Sequence, residues 1–228
     1  MPTLRFGSVM AGEINDQRGE AHYTEFYKNG GWKYSYWREY WWHRRHVVKR
    51  FGLRRGMKML EVACGCGFHT DLFNHMGFDC TGVDRSDAGI AWAKAHYPQS
   101  HYLCCDIRDL PFEPERFDAV IARGCSHYHY DLFDEIPLDT SRSILRLLRP
   151  GGVFVMAIVT DLSGRKEPDK VWNNTLDDYR RHFSSFGKRW SVDWVKGMAV
   201  CGLFNEPIEA NQADERFASA AATVVAVS

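Results

Sequence analysis

The sequence predicts an α/β protein built on a doubly wound, mostly parallel sheet, and three observations carry that reading. Short apolar, β-branched runs alternate with segments of helical periodicity along most of the chain. The first of these runs opens into a glycine-containing turn, Glu61-Val62-Ala63-Cys64-Gly65-Cys66-Gly67. The second and third runs each end in an acid, Asp84 and Asp106. Alternation of strand and helix implies parallel pairing with helices on both faces of the sheet. Ligands of such sheets bind beyond the carboxyl ends of the strands.

Five strands are expected at 58–63, 79–84, 101–105, 117–122 and 152–160. A helix from His69 to Met76 should stop at Gly77, which suits a left-handed cap. Another begins behind Ser86, a good N-cap, and runs to His96. A third follows Asp139, with Ile144, Leu145, Leu147 and Leu148 apolar, and ends before Pro150. A fourth follows Thr175, with Leu176, Tyr179, Phe183 and Phe186 at helical spacing. Runs at 189–196 and 198–205 lie close enough to form an antiparallel hairpin, which brings the expected sheet to seven strands. The organisation expected is one domain, with an aromatic-rich helical lid over 1–57, a core over 58–206 and a peripheral alanine-rich tail over 207–228.

The glycine turn needs a ligand class. Glycine lets the backbone turn tightly and a ligand lie against it, and the helix that follows offers free N–H groups. Asp84, seventeen residues past Gly67, suits ribose hydroxyls. Asp106 can accept from an adenine amino group while Ile107 lies on the ring. A dinucleotide fingerprint requires a third glycine where Thr70 stands, so a dehydrogenase is disfavoured. Three acids without a phosphate-binding lysine suit an uncharged nucleoside that carries a cation.

These motifs resemble the class I S-adenosylmethionine-dependent methyltransferases. The family's first motif, acid-x-Gly-x-Gly-x-Gly, is similar to Glu61 through Gly67, with Ala63 standing where glycine is usual. The segment Leu148-Arg149-Pro150-Gly151-Gly152-Val153-Phe154-Val155 resembles the turn and strand after the family's fourth helix. The resemblance covers roughly residues 55 to 206. It implies a Rossmann-like fold and S-adenosylmethionine as cofactor, with S-adenosylhomocysteine as product. It also implies that Glu61, Ala63, Gly65 and Gly67 surround the methionine part, with Asp84 on the ribose and Asp106 on the adenine. Arg85, Ile107 and Arg123 are the flanking residues expected at the cofactor.

Two regions bear on the substrate. Ten of the twenty residues from Tyr23 to Trp42 are aromatic. Trp37, Trp41, Val48 and Phe51 fit one helix face that would pack on the sheet. Tyr34, Tyr36 and Trp42 cannot all share it, so part of this surface is expected to form a lid offering ring faces to a cation or a flat substrate. Tyr36, Trp37, Trp41 and Tyr128 are the candidate substrate contacts. The second region is Ala122-Arg123-Gly124-Cys125-Ser126-His127-Tyr128-His129-Tyr130-Asp131, directly after the fourth strand. Its histidines suit general-base work near neutral pH, so His127 and His129 are the catalytic candidates, His127 first.

Composition fits a small-molecule enzyme. The 228 residues are 45% hydrophobic, and 29 Lys+Arg balance 29 Asp+Glu. That balance gives no global attraction to nucleic acid or to an anionic membrane. There is no basic-then-apolar leader and no apolar run of about 18 residues, so a cytoplasmic location is expected. The seven cysteines include no C-x-x-C pair and do not form a disulfide framework, and Cys104 and Cys105 are expected on a buried strand. No metal is expected: Cys64, Cys66 and His69 lack zinc-finger spacing.

A competing reading uses the seven lysines and arginines between His43 and Lys58 to bind RNA. Another is a cofactor-binding protein without catalysis. The reading carried forward is transfer of a methyl group to an oxygen or nitrogen of a small metabolite.

Overall fold

A computed structural model describes residues 24–129, 131–164 and 173–207. Tyr23, Tyr130 and the tail from 208 onward, all named above, lie outside these residues. Residues 24–28 are helical. Helix α1 spans Tyr36–His43 and continues through a wider turn over Arg44–Val48. Then follow β1 (Lys58–Val62), α2 (Phe68–His75), β2 (Asp79–Asp84), α3 (Asp87–His96), β3 (His101–Cys104) and β4 (Phe117–Arg123). The chain continues with α4 (Glu135–Leu147), β5 (Leu148–Val159), α5 (Leu176–Ser184), β6 (Lys188–Val195) and β7 (Met198–Pro207).

The seven strands form one sheet in the order β3-β2-β1-β4-β5-β7-β6. The pairings among β1 to β5 are parallel, while β7 runs antiparallel to both β5 and β6. The predicted α/β class, seven strands and terminal hairpin are all present. The chain reverses between β1 and β4, and this is the switch point at which sheets of this kind open a crevice.

Both faces are covered. Leu60, Val62, Phe154, Met156, Tyr179 and Phe183 pack with α4 and α5 on one side. Met59, Phe73, Phe78, Val153 and Val155 pack with Val47 on the other. Gly202 admits this second layer closely, since a Cβ there would lie 2.4 Å from the Phe51 ring.

Four local expectations need correction. Helix α4 begins at Glu135 rather than after Asp139, because Pro137 sits in the first turn, where its missing N–H is harmless. Strand β5 begins at Leu148 rather than 152, since Leu148 pairs with Phe117 ahead of an irregularity in the register. Cys104 is exposed and Cys105 only half-buried, because β3 is an edge strand with one neighbour. On α1 the buried stripe is Glu39, His43 and then Val47, while Trp37 and Trp41 are 65% and 56% exposed. Residues 37 and 41 lie roughly half a turn away from 39 and 43, so the face that packs is the polar one. Pairing with histidines makes that burial tolerable.

Candidate functional site

At the carboxyl ends of the strands the chain encloses a cavity of about 860 Å³. Glu61, Ala63 and Gly65 at the end of β1, Asp84 and Arg85 at the end of β2, and Asp106 and Ile107 just after β3 all line it. Arg123, His127 and His129 after β4 line it as well. Ten of the residues selected from the sequence thus share one cavity.

The glycine turn is tied to the second strand. Gly65 N–H donates to Asp84 Oδ2 at 2.8 Å, and Ser86 N–H donates to Asp84 Oδ1 at 2.9 Å. Burial raises the Asp84 carboxyl above its ordinary range, while these backbone donors pull it down. Ser86 also caps α3, its Oγ accepting from Gly89 N–H at 3.2 Å. Gly65 has φ 52°, and a Cβ on it would lie 3.1 Å from the Tyr27 ring. Ala63 is also left-handed, at φ 56°, a conformation that costs a residue with a Cβ about 1–2 kcal/mol.

Gly67 does not line the cavity. It has φ 78° and caps α2, and a Cβ there would lie 2.7 Å from both Ala93 and Tyr102. Its glycine is required by helix packing, and its carbonyl accepts from Tyr102 O–H at 3.2 Å.

Glu61 is buried and accepts a short hydrogen bond from Thr70 Oγ1. Burial pushes its carboxyl up to about 8, against the pull of the Thr70 bonds. Asp106 is its opposite. Arg108 grips both of its oxygens at 3.0 and 2.8 Å and holds the carboxyl down at about 2. Two acids in one cavity are therefore tuned apart, one by desolvation and one by a fixed cation.

His127 Nδ1 shares a 2.8 Å hydrogen bond with Thr140 Oγ1 of α4, which fixes the ring at the cavity wall. Tyr128 does not line the cavity. Its side chain is fully buried, and its O–H bonds to Ser141 Oγ at 2.9 Å. Tyr36, Trp37 and Trp41 do not line the cavity either. Tyr36 packs on Phe68 and His75, and the two tryptophans face solvent.

The aromatic contribution comes from earlier in the chain, from Phe26, Tyr27, Trp32 and Tyr34, with Trp92 and Tyr97 of the α3 region opposite. Burial pushes the Tyr34 hydroxyl up to about 12. The signal that could have singled out Tyr27 and Trp32 was the Gly30-Gly31 turn between them, which bends the segment. A Cβ on Gly31 would lie 3.1 Å from Tyr27 and 3.2 Å from Cys66 Sγ. The basic residues between Arg44 and Lys58 are absent from the cavity wall.

A parallel sheet with its switch point at this cavity, a glycine turn and acids at three strand ends define a nucleoside-binding α/β domain. Residues 60–156 match the family model described as a methyltransferase domain. The relatives carry methyltransferase names as well, and the fold agrees, so this segment is similar to the class I S-adenosylmethionine-dependent methyltransferases.

The chain is 28% identical over 173 residues to a ubiquinone biosynthesis O-methyltransferase of Nitrobacter winogradskyi, covering 60% of this chain and 64% of that protein. It is 26% identical to a malonyl-[acyl-carrier protein] O-methyltransferase of Enterobacter lignolyticus, covering 70% of this chain and 59% of that one. The chain thus spans about six-tenths of the length of these relatives. Among solved structures, a protein from Pyrococcus horikoshii superposes with a TM-score of 0.63 at 20% identity, over 76% of this chain and 92% of that one. The plantazolicin methyltransferase in complex with SAH superposes with a TM-score of 0.63 at 12% identity, over 86% and 93%. These two likenesses concern the fold. Among the described residues, no helix is long and apolar enough to cross a membrane.

Proposed function

We propose that the protein transfers the methyl group of S-adenosylmethionine to an oxygen or nitrogen of a small molecule. The observation that carries this reading is that one cavity of about 860 Å³ holds both the nucleoside-type residues and a histidine pair. Its size falls in the range of small-molecule sites, about 300–1,000 Å³. Relatives named as O-methyltransferases favour oxygen as the acceptor. The residues fit the cofactor: Gly65 leaves room for close approach, Asp84 and Asp106 suit hydroxyl and amino groups, and Glu61 suits an ammonium.

When bound, the cofactor supplies a methyl group already activated on a sulfonium. The chain's own work is to hold an acceptor in line with that methyl and to exclude water, which can lower the barrier by several kcal/mol. Phe26, Tyr27, Trp32 and Tyr34 act as the lid and keep water out. His127, oriented by Thr140, takes the proton from an acceptor hydroxyl through the ring nitrogen that Thr140 does not hold. His129 stands beside it as a second polar contact.

The test is a melting-temperature series with S-adenosylmethionine, S-adenosylhomocysteine and NAD, followed by turnover on a panel of phenols, acids and amines. Cofactor at about 100 times its Kd should stabilise the fold by roughly 2.7 kcal/mol. A shift with NAD alone sinks the reading, and so does cofactor binding without turnover of any acceptor class.

A further inference from the structure

We propose that Glu39, His43 and His69 form a binding site for a divalent transition cation of the zinc class, set between α1 and α2 at the wall of the cofactor cavity, which His69 also lines. Glu39 and His43 stand one helical turn apart on the buried stripe of α1, and His69 is the second residue of α2. One ligand atom from each of the three lies within 4.8 Å of the others. Glu39 Oε2 and His69 Nε2 are 3.2 Å apart, and the two imidazole centroids are 4.8 Å apart. Around a tetrahedral ion with bonds of about 2.0–2.1 Å, neighbouring ligand atoms sit about 3.4 Å apart. One edge of the site is therefore already at ligand spacing, and the others close with shifts on the order of 1 Å.

Three further observations point the same way. Metal-bound histidines hold their other ring nitrogen on a carbonyl or carboxylate. His43 Nδ1 donates to Glu39 O at 2.8 Å, and His69 Nδ1 lies 3.8 Å from Glu61 Oε1. Next, His43 Nε2 is buried and has no hydrogen-bond partner among the described residues. A buried nitrogen in that condition is costly unless something binds it. Lastly, the trio is 7%, 0% and 4% exposed, so it is not a solvated polar patch.

Arg38 Nε lies 3.8 Å from Glu39 Oε1, and the field of Arg123 reaches all three residues. Glu39 and Glu61 flank His69 and offset it. Three protein ligands leave one position for water. The sequence leads to no metal at Cys64, Cys66 and His69, whereas the Glu39-x-x-x-His43 spacing sets two ligands on one helix face. The site's readout is metal content, which does not depend on methyl transfer.

The test uses the full chain without a histidine tag, stripped with chelator and titrated with Co²⁺ as a spectroscopic probe and with Zn²⁺. The expected result is one ion per chain, visible Co²⁺ bands of low-symmetry nitrogen–oxygen coordination and a higher melting temperature with Zn²⁺. Glu39→Gln and His43→Asn should keep the far-ultraviolet circular dichroism of the wild type. They should weaken binding by at least about 100-fold, since loss of an outer-shell partner alone costs 10- to 100-fold. Exposed His101→Ala should bind as the wild type does. If a cluster variant fails to fold, the wild-type Co²⁺ spectrum and stoichiometry decide. No uptake by the wild-type chain, or equal affinity in folded cluster variants, overturns the site.

Discussion

Asp84 Oδ2 accepts the backbone N–H of Gly65 at 2.8 Å, locking the tip of β2 to the glycine turn after β1. The other oxygen holds Ser86 N–H, so this carboxylate shapes two turns of the cavity before any ligand arrives. Asp84→Ala would strand both donors in a buried setting, where each unsatisfied group costs about 1–3 kcal/mol. We expect a loss of roughly 2–3 kcal/mol in urea denaturation, together with weaker cofactor binding. Unchanged stability would show that the turn holds itself.

Ala63 adopts φ 56° where its side chain is a liability. Relief of about 1–2 kcal/mol of left-handed strain outweighs the roughly 0.5–1 kcal/mol of extra unfolded freedom in glycine. Ala63→Gly should therefore raise stability by up to about 1 kcal/mol. A lower denaturation midpoint would mean that the methyl makes contacts worth more than the strain.

Glu61 is a buried cavity carboxylate that desolvation pushes up to about 8, and it is poised to meet a cation. Charge-assisted hydrogen bonds contribute about 1.5–3 kcal/mol. Glu61→Gln should thus weaken S-adenosylmethionine roughly tenfold to 100-fold by calorimetry. Adenosine, which lacks the ammonium, should bind both forms alike.

His127→Ala should lower kcat by about 10²–10⁴ for a hydroxyl acceptor. The deficit should shrink as pH rises toward the acceptor's own pKa, because hydroxide then removes the proton instead. A pH-independent deficit, or none at all, excludes His127 as the base.

His182 gives the fold an acid limit. Its Nδ1 donates to Leu132 O at 2.8 Å, and its Nε2 accepts from Ser141 at 3.0 Å. Burial lowers it to about 4 from an ordinary value near 6.5. The folded chain therefore binds fewer protons than the unfolded chain between those values, and stability present above pH 6.5 is lost as pH falls toward 4. His182→Asn should be less stable at pH 7 yet show a shallower decline across that window.

The strand tips were legible because glycine turns and terminal acids are local signals, and they fall on one side of any parallel sheet. Asp84, Asp106 and His127 needed only strand order to be brought together. What escaped was long-range. Edge position decided the exposure of Cys104, and no local run reveals which strand lacks a second neighbour. In the aromatic segment, hydrophobicity marks tryptophan as the residue for α1 to bury. Glu39 is buried instead, through His69, thirty residues away. Tyr27 reaches the cavity through the Gly30-Gly31 bend, which hydrophobic periodicity does not register.

The eight tryptophans are distributed in a way that makes the chain its own optical probe. Trp92 lines the cavity and Trp32 borders it while 69% exposed, whereas Trp37 and Trp41 look into solvent away from it. Trp92 is stacked on His96 at 3.9 Å, and a ring so close is a ready quencher. A ligand entering the cavity changes the surroundings of the first pair and leaves the second as an internal reference. Occupancy of this site is thereby written into intrinsic fluorescence, with no label attached.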